Sequence, residues 1–340
     1  MDVMHSLLTP LALAYAGVIR GRNFYYERVR SAVHAAGVPV ISVGNVTVGG
    51  TGKTPLVIEV VRRLRTQGRR PAILTRGYRA VAGQAADEVR EFHESLPETP
   101  VVVNADRVAG AATARAAHNA DCVVLDDGFQ HRRLGRDLDI VLIDALAPWG
   151  GGWVLPAGRL REPLGSLRRA DAFVITRANQ VEAARVEVVC AELRRWAGDR
   201  PIYRAGVEAE GLRCADGRLT PPTELAGRRV LPVCGIGNPR TFQQLLTGLT
   251  GDAEAGLVYP DHHNYERRDA LAICAAARQR GAERVVTTRK DWVKLVAVWP
   301  DAGVELTRLD VRLRLLEASD DFDAQLRALF GGPGDRERHS

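Results

Sequence analysis

A glycine-rich stretch at residues 44–55 (GNVTVGGTGKTP) carries the clearest chemical signal in the sequence. Glycine lets the backbone wrap closely around a phosphate, and the amide groups of such a loop and of a following helix supply positive potential. In this arrangement the ammonium of Lys53 reaches the β- and γ-phosphates of a nucleotide, and the hydroxyl of Thr54 binds Mg²⁺. The predicted phosphate-binding residues are Thr47, Val48, Gly49, Gly50, Thr51, Gly52, Lys53 and Thr54.

The residues around this loop have the pattern that a P-loop requires. The apolar run VPVISV (38–43) predicts a buried strand before the loop, and Pro55 fits the first turn of a helix after it. The sequence departs from G-x-x-x-x-G-K-[ST] at the first position, where it has Thr47. A glycine-rich turn with a chance GKT triplet is the alternative, but such a turn requires neither the strand nor the helix. We therefore predict a P-loop.

Two adjacent carboxylates end an apolar strand. The run CVVLD (122–126) is followed directly by Asp127, so Asp126 and Asp127 lie where a P-loop protein places its magnesium ligand. We expect one of them to bind Mg²⁺ directly or through water, with either residue open as the direct ligand. A helix-capping role is the alternative for this pair. Asp144, at the end of the run IVLID (140–144), has either a structural or a metal-binding role.

The composition limits the partners. The net charge of +6 favours an anionic partner such as a nucleotide, a phospholipid or a nucleic acid. The five cysteines are odd in number and form no CxxC pair, so neither a disulfide framework nor a zinc site is expected. Lysine occurs only as Lys53, Lys290 and Lys294, and the other basic residues are arginines. Against that background, a lysine marks a site that needs a compact ammonium.

The N-terminal segment is apolar and is followed by a basic cluster. The uncharged run from Leu7 to Ile19 is shorter than the ~20 residues that span a bilayer, and arginines with aromatic residues follow it up to Arg30. A signal peptide would need a basic region before this run and a clear cleavage site after it, and the sequence has neither. A core helix and an interfacial or barely spanning anchor both remain open. Both interpretations predict a helix between Leu7 and Arg30.

Short apolar runs alternate with helical stretches from Val38 onward, for example a predicted helix at 108–118 between two runs. Buried strands that alternate with helices form a parallel sheet covered on both faces. We predict an α/β fold with a P-loop NTPase-type parallel sheet, a second smaller α/β lobe and an N-terminal membrane-associating helix. The predicted segments are 1–30 (N-terminal helix), 31–207 (nucleotide-binding lobe), 208–229 (linker), 230–330 (second lobe) and 331–340 (disordered tail).

These features together resemble the tetraacyldisaccharide 4'-kinase family, the lipid A 4'-kinases. The resemblance runs from the N-terminal segment to about Lys294, and Thr47 is usual in this family. One position departs from its pattern: Ala86 stands where the family has glycine before an Asp-Glu pair. The matching pieces are VGNVTVGGTGKTP (43–55), TRGY (75–78), DE (87–88), DDGFQH (126–131), RDLDIVLIDA (136–145), GGWVLPAGRLRE (151–162), GIGNP (235–239), DHH (261–263) and TRKDWVK (288–294).

The resemblance implies a kinase that uses ATP and Mg²⁺. Its expected reaction moves the γ-phosphate of ATP to the 4'-hydroxyl of a tetraacylated glucosamine disaccharide 1-phosphate, which makes lipid IVA. It implies two α/β lobes with the site in the cleft between them. The expected location is the cytoplasmic face of the bacterial inner membrane, with the lipid A precursor and the membrane surface as partners, no nucleic acid and no obligate protein partner.

The resemblance also implies roles for residues outside the loop. The Asp that matches Asp87 pairs in the family with the His of the DH motif, here His262, to accept the proton of the hydroxyl group. With Lys53, these two are the predicted catalytic residues. Arg161 is expected to hold phosphate bidentately, as arginine does elsewhere. The full set of further nucleotide-site predictions is Gln130, His131, Arg161 and Glu162.

Two other classes of P-loop protein compete with a lipid kinase. A GTPase or metallochaperone-type switch shares the loop and the acidic strand end, but a guanine reader shows N/T-K-x-D after a strand. Here Thr288-Arg289-Lys290-Asp291 has its lysine one place late, and no His- or Cys-rich tract is present. A nucleic-acid-binding ATPase would use the basic charge, but the sequence contains no recognisable reader module. The kinase is therefore the preferred prediction.

Overall fold

The computed structural model describes residues 3–77, 84–251, 255–261 and 263–331. The chain forms two compact units. The first consists of Met1–Gly206 with Leu313–Ser340, and the second is Val207–Arg312. The candidate P-loop and the acidic strand end both belong to the first unit.

A parallel sheet forms the centre of the first unit. Its order is β3-β2-β4-β1-β5-β6-β7, and every neighbouring pair is parallel. Most of its strands are buried along their whole length, as expected for a sheet covered on both faces. The predicted fold class is therefore confirmed. The strands are β1 (Val40–Asn45), β2 (Pro71–Thr75), β3 (Val101–Val103), β4 (Cys122–Asp126), β5 (Leu138–Asp144), β6 (Ala172–Thr176) and β7 (Ile202–Cys214).

Helices cover this sheet, and their sequences explain where they begin. The helix after the P-loop buries Leu56, Val60 and Leu64 at helical spacing. The helix predicted at 108–118 is present, and its N-terminus is capped because the Asp106 carboxylate accepts the backbone N–H groups of the first turn. The helices are α1 (Val3–Arg28), α2 (Lys53–Thr66), α3 (Gln84–Ser95), α4 (Arg107–His118) and α5 (Ala183–Ala197).

The N-terminal segment is a helix, α1, as both interpretations of the sequence predicted. One stripe of α1 is buried against the first unit, at Ala12, Ala16, Ile19 and Asn23. Apolar residues elsewhere on α1 are exposed, among them Val18 at 70%. In the part of the chain that the structure describes, no helix combines the length and the apolar character needed to cross a membrane.

The second unit is a smaller α/β body around the order β10-β9-β11-β12-β7, with β8 antiparallel to β7. A core that includes Leu231, Ile273 and Leu306 lies between its sheet and helices. Its elements are β8 (Leu219–Thr220), β9 (Val230–Cys234), α6 (Pro239–Thr250), β10 (Leu257–Val258), α7 (Arg267–Gln279), β11 (Arg284–Thr287), α8 (Arg289–Val298) and β12 (Glu305–Leu315).

The unit boundaries differ from the predicted segments. The stretch 208–229, expected to be a linker, contains the end of β7, all of β8 and a short 3₁₀ helix at Pro222–Leu225. At the other end, β12 continues past Arg312, and α9 (Ser319–Ala328) belongs to the first unit. Phe322 and Leu326 of α9 are fully buried in the core of that unit. Glycine and proline marked turns inside the second unit rather than a boundary.

Candidate active site

The phosphate loop connects β1 to α2, and its glycines are required by its geometry. Gly49 and Gly52 have φ angles of 117° and 91°, in the left-handed region that residues with a Cβ atom rarely adopt. A Cβ atom at Gly49 would lie 2.2 Å from the Arg159 guanidinium. Gly52 also precedes the first residue of α2, so the loop runs directly into a helix N-terminus. In this arrangement, backbone N–H groups of the loop and of the helix N-terminus can bind an anion.

Neighbouring side chains hold the loop in place. The Asn45 amide donates to the Thr47 carbonyl and to the Thr51 hydroxyl, each at 2.8 Å. The Thr176 hydroxyl donates to the Thr51 carbonyl at 2.9 Å. Sequence reasoning missed the roles of Asn45 and Thr176, although both residues stand at strand ends, where α/β proteins place their sites.

An ion pair behind the loop gives Asp144 a structural role. Arg177 pairs with Asp144 and also donates to the Gly50 carbonyl. Both side chains are largely buried. Of the two roles that the sequence left open for Asp144, these contacts favour the structural one, because its carboxylate fixes the arginine that holds the loop.

Asp127 lies between two cations. Its carboxylate accepts two hydrogen bonds from Arg161, at 2.9 and 2.7 Å, and lies 3.6 Å from the Lys53 ammonium. Burial alone would raise the pKa of Asp127, but Lys53 and Arg161 together bring this pKa below its ordinary value. Lys53 also lies 3.3 Å from the Asn45 amide oxygen. Lys53, Asp127 and Arg161, which the sequence predicted for one site, are thus brought together.

Asp126 has a different environment from its neighbour. Its side chain is 4% exposed. Burial, followed by the negative charges of Glu88 and Asp127, raises the pKa of Asp126 to about 7, against the opposing effects of Lys53 and the Thr75 hydroxyl. Burial disfavours the ionised form of this carboxylate, and a bound cation would stabilise that form.

The donors at this strand end fit Mg²⁺ bound together with phosphate. Mg²⁺ in nucleotide enzymes takes one or two carboxylates and completes its shell with phosphate oxygens and water. Asp126, Asp127 and the Thr54 hydroxyl supply donors of that kind. Among the described residues, no cluster of three or more His, Cys, Asp or Glu side chains forms a metal site of protein ligands alone. The residues therefore suit a metal that arrives with its nucleotide.

Gln130 and His131 lie next to this pair. The Gln130 amide donates to the Asn45 carbonyl at 2.9 Å, and its own oxygen is buried with no hydrogen-bond partner among the described residues. Burial, together with the positive charges of Arg107, Arg76 and Arg136, lowers the pKa of His131 to about 4. His131 is therefore neutral at pH 7, in a surrounding that favours negative charge.

Five arginines line a pocket beside the acidic strand end, which we call the arginine pocket. Its volume is about 420 Å³. Arg107 is 3% exposed; one of its guanidinium nitrogens donates to the Asp126 carbonyl at 3.4 Å, and its Nε has no hydrogen-bond partner among the described residues. The sequence gave no sign of this pocket because its residues come from separate segments. They are Arg22, Arg76, Arg107, Arg132 and Arg133.

Glu162 is placed differently from Arg161. Its side chain is fully buried, and its carboxylate oxygens contact Asn23 at 2.9 Å, Arg169 at 3.0 Å and Arg22 at 3.3 Å. Its described contacts are therefore with α1 and with the segment that contains Arg169. That Glu162 contacts a nucleotide stays a prediction.

The predicted base pair falls outside what the structure describes in full. Asp87 lies in α3, where only its backbone is described, and His262 is outside the described residues. Their pairing stays a prediction. Glu88, the residue after Asp87, is a site residue that sequence reasoning missed: its charge acts on Asp126. The matching DE pair at 87–88 was the signal that could have identified it.

In the second unit, a buried carboxylate and a lysine of one motif together join three of the matching motifs. Asp291 is 1% exposed and accepts the Gly235 N–H at 3.0 Å, the Thr288 hydroxyl at 2.6 Å and the Tyr265 hydroxyl at 3.2 Å. Lys294 donates to the His263 carbonyl at 3.1 Å. The TRKDWVK motif therefore fixes the loops that carry GIGNP and DHH.

Comparison with known proteins identifies relatives that match most of the chain. A family model described as "Tetraacyldisaccharide-1-P 4'-kinase" matches residues 4–331. A tetraacyldisaccharide 4'-kinase of Anaeromyxobacter sp. (strain Fw109-5) is 38% identical over 328 residues, covering 90% of this chain and 88% of the relative. One from Geobacter metallireducens is 38% identical over 317 residues, with 88% and 91% covered.

A solved structure extends the comparison to three dimensions. The "apo" form of LpxK from Aquifex aeolicus, in complex with ATP, has a TM-score of 0.75 and 29% sequence identity to this chain. The match covers 97% of this chain and all of the Aquifex chain. The fold, the loop and the acidic strand end all lie within the matched region. The chain therefore belongs to the tetraacyldisaccharide-1-phosphate 4'-kinase family, as its sequence motifs predicted.

Proposed function

We propose that this chain transfers the γ-phosphoryl group of ATP to the 4'-hydroxyl of a tetraacyldisaccharide 1-phosphate, which forms lipid IVA. The observation that carries the proposal is the position of the Asp127 carboxylate. It follows β4 and lies between Arg161 and Lys53, the residue that ends the phosphate loop. Phosphoryl transfer needs positioning and neutralisation of charge more than covalent chemistry, and this arrangement supplies both.

The residues of the loop and of its surroundings have defined tasks in this reaction. Backbone N–H groups of the loop and of the first turn of α2 bind the phosphates, and the Lys53 ammonium balances charge on the β- and γ-phosphates. Thr54, Asp126 and Asp127 would hold Mg²⁺, which neutralises charge that develops on the phosphate oxygens. Arg161 orients Asp127 through two hydrogen bonds. The resemblance supports Asp87 and His262 as the base that takes the proton of the sugar hydroxyl.

We infer that the arginine pocket receives the anionic headgroup of the lipid. Arginine binds phosphate through a planar pair of donors, and this pocket offers five guanidinium groups beside Asp126. Burial is the main cause of the low pKa of His131, and the positive charges of Arg107, Arg76 and Arg136 lower it further. A phosphorylated sugar is an anion of the right kind for this pocket, in which Arg22, Arg132 and Arg133 also have carboxylate partners.

We also propose that α1 lies on the cytoplasmic face of the inner membrane. Leu11, Val18 and Tyr25 are at least half exposed on the side of α1 that the buried stripe leaves free. Apolar side chains next to arginines bind the interface of an anionic bilayer. Serine at Leu11 and Val18 should reduce flotation with anionic liposomes, whereas serine at Leu219, an equally exposed apolar residue of the second unit, should not. Equal flotation of the two variants would contradict this placement.

Nucleotide turnover with and without the lipid acceptor tests the function. A 4'-kinase consumes ATP in proportion to added tetraacyldisaccharide 1-phosphate in mixed micelles. A regulatory P-loop NTPase would hydrolyse nucleotide without the lipid, and a GTPase would prefer GTP. Acceptor-independent turnover or a preference for GTP would overturn the proposal.

A further inference from the structure

A short segment of the chain, Arg159–Glu162, lies between the phosphate loop and the N-terminal helix. We call it the linking segment. On one side it pairs with the loop as a short antiparallel strand: the Val48 N–H donates to the Arg159 carbonyl at 2.8 Å, and the Arg161 N–H donates to the Val46 carbonyl at 2.7 Å. Thr47 and Leu160 form an antiparallel bridge between these two bonds. The backbone of the loop is therefore tied to the linking segment.

On its other side, the linking segment is tied to α1. The Asn23 amide donates to Glu162 at 2.9 Å, and the Arg22 guanidinium donates to it at 3.3 Å. The Tyr15 hydroxyl donates to the Arg161 carbonyl at 2.9 Å. These three donors span two turns of α1, so that a whole face of the helix is fixed to the segment.

Arg161 is thereby fixed at three points. Its N–H is bound by the loop, its carbonyl by Tyr15, and its guanidinium by Asp127, which lies 3.6 Å from Lys53. Successive side chains of an extended segment point to opposite sides. Arg161 can therefore face the acidic strand end while Glu162 faces α1.

We propose that Glu162 is a positioning residue through which α1 holds the phosphate loop and Arg161 in their working geometry. Its side chain is 0% exposed; its carboxylate accepts hydrogen bonds from Arg22 and Asn23 and forms an ion pair with Arg169 at 3.0 Å. The described partners of this buried carboxylate thus belong to α1 and to the segment that contains Arg169. The helix that faces the lipid is then also part of the framework of the phosphate site. The proposal rests on the proposed function only where it concerns the rate of phosphoryl transfer.

Amide hydrogen exchange of the phosphate loop is the primary test, because it needs no substrate. Glu162→Gln keeps the shape of the side chain and removes its charge, and Tyr15→Phe removes only the bond to the Arg161 carbonyl. Both should speed exchange of the Val48 and Arg161 amides, since both loosen the linking segment. The matched control is Glu59→Gln, which also breaks a Glu–Arg pair of the first unit, the one with Arg63 on α2. It should leave these amides unchanged.

Kinetics supply the second readout. Glu162→Gln should lower kcat by roughly ten- to a hundredfold, the range found when outer contacts of a site are cut. The KM for ATP should change by no more than about twofold, because the residues that bind the phosphates are still present. Asn23→Ala acts on the same contact from the helix side, so that the Asn23→Ala/Glu162→Gln double variant should be little worse than Glu162→Gln alone.

Several results would overturn the proposal. Unchanged exchange at Val48 and Arg161 in Glu162→Gln would show that the carboxylate does not hold the loop. A raised KM for ATP with unchanged kcat would make Glu162 a nucleotide ligand. If Glu162→Gln does not fold, Tyr15→Phe and Asn23→Ala decide the matter by the same exchange measurement. Absence of lipid phosphorylation by the wild-type protein would refute the proposed function and leave the exchange test intact.

Discussion

Replacing Asp126 by asparagine should stabilise the magnesium-free protein at alkaline pH and, at the same time, weaken phosphoryl transfer. Burial, followed by the charges of Glu88 and Asp127, raises the pKa of Asp126 from 3.8 to about 7. Because the folded-state pKa is the higher one, the folded state binds this proton more tightly, and ionisation of Asp126 destabilises the fold. The destabilisation starts as pH rises above about 4, grows up to about 7 and is constant beyond.

The size of this effect follows from the two pKa values. One pKa unit is worth about 1.4 kcal/mol, so the raised pKa of Asp126 lowers stability, relative to the acidic limit, by about 4 kcal/mol at pH 8 and roughly 1.5 kcal/mol at pH 5. Asparagine at this position removes the charge and can still hydrogen-bond Thr75, which lies 3.3 Å from the carboxylate. The stability advantage of Asp126→Asn should therefore grow by about 2–3 kcal/mol between pH 5 and 8, or roughly 3–6 °C in Tm.

Calorimetric melts in EDTA, from pH 5 to pH 8, measure this advantage. Asp199→Asn is the control, because it makes the same substitution at an exposed aspartate of the same unit. In the presence of ATP and Mg²⁺, Asp126→Asn should need more Mg²⁺ and react more slowly. A Tm advantage that is the same at pH 5 and pH 8, or an Asp126→Asn variant less stable than wild type at pH 8, would refute the reasoning.

Three further predictions concern the remaining site residues. Lys53→Ala should abolish transfer without unfolding the protein, and Thr54→Ala should raise the Mg²⁺ concentration needed for half-maximal rate; activity of a folded Lys53→Ala variant would contradict the P-loop assignment. Asp87→Ala and His262→Ala should each lower the rate of the chemical step by about 10²–10⁴-fold with little change in ATP affinity. Fully multiplicative rate losses in the double variant would show that the two residues do not act as one unit. Asp291→Asn should lower the free energy of unfolding by about 1–3 kcal/mol in urea titrations, because one buried donor loses its acceptor; an unchanged titration would remove Asp291 from this role.

The sequence predicted those parts of the site that a continuous segment encodes. The loop at 44–55, the acidic pair after β4 and the alternation of strands and helices each depend on neighbouring residues, so that local spacing identifies them. The buried positions of α2 could be predicted for the same reason. The strand ends of a parallel sheet lie together, which is why Lys53 and Asp127 were expected in one site.

What the sequence did not predict depends on contacts between distant segments. The arginine pocket combines α1, the end of β2, the start of α4 and the turn after β4, and no spacing along the chain marks such a set. The contact of Glu162 with α1 is a second example, because adjacent residues in an extended segment face opposite sides and the sequence does not show what lies on the side away from Arg161. That Glu162 contacts the nucleotide stays a prediction.

The boundary between the two units was not predicted for a related reason. Residues 211–214 alternate between less and more buried positions along β7, a strand pattern that glycine and acidic residues nearby obscure in the sequence. The return of the chain to the first unit at Leu313 is set by the burial of Leu313 and Leu315 with Phe322 in one core. Apolar residues near a chain end do not reveal which core they join.

The position of the new phosphate on the lipid product tests the central claim most directly. The wild-type protein, given ATP, Mg²⁺ and tetraacyldisaccharide 1-phosphate in mixed micelles, should yield one product with one additional phosphate. Phosphorus–proton correlation NMR of that product should place the new phosphate on the 4'-oxygen, with the 1-phosphate retained. A product phosphorylated at another hydroxyl, or a pyrophosphate at position 1, would contradict the account.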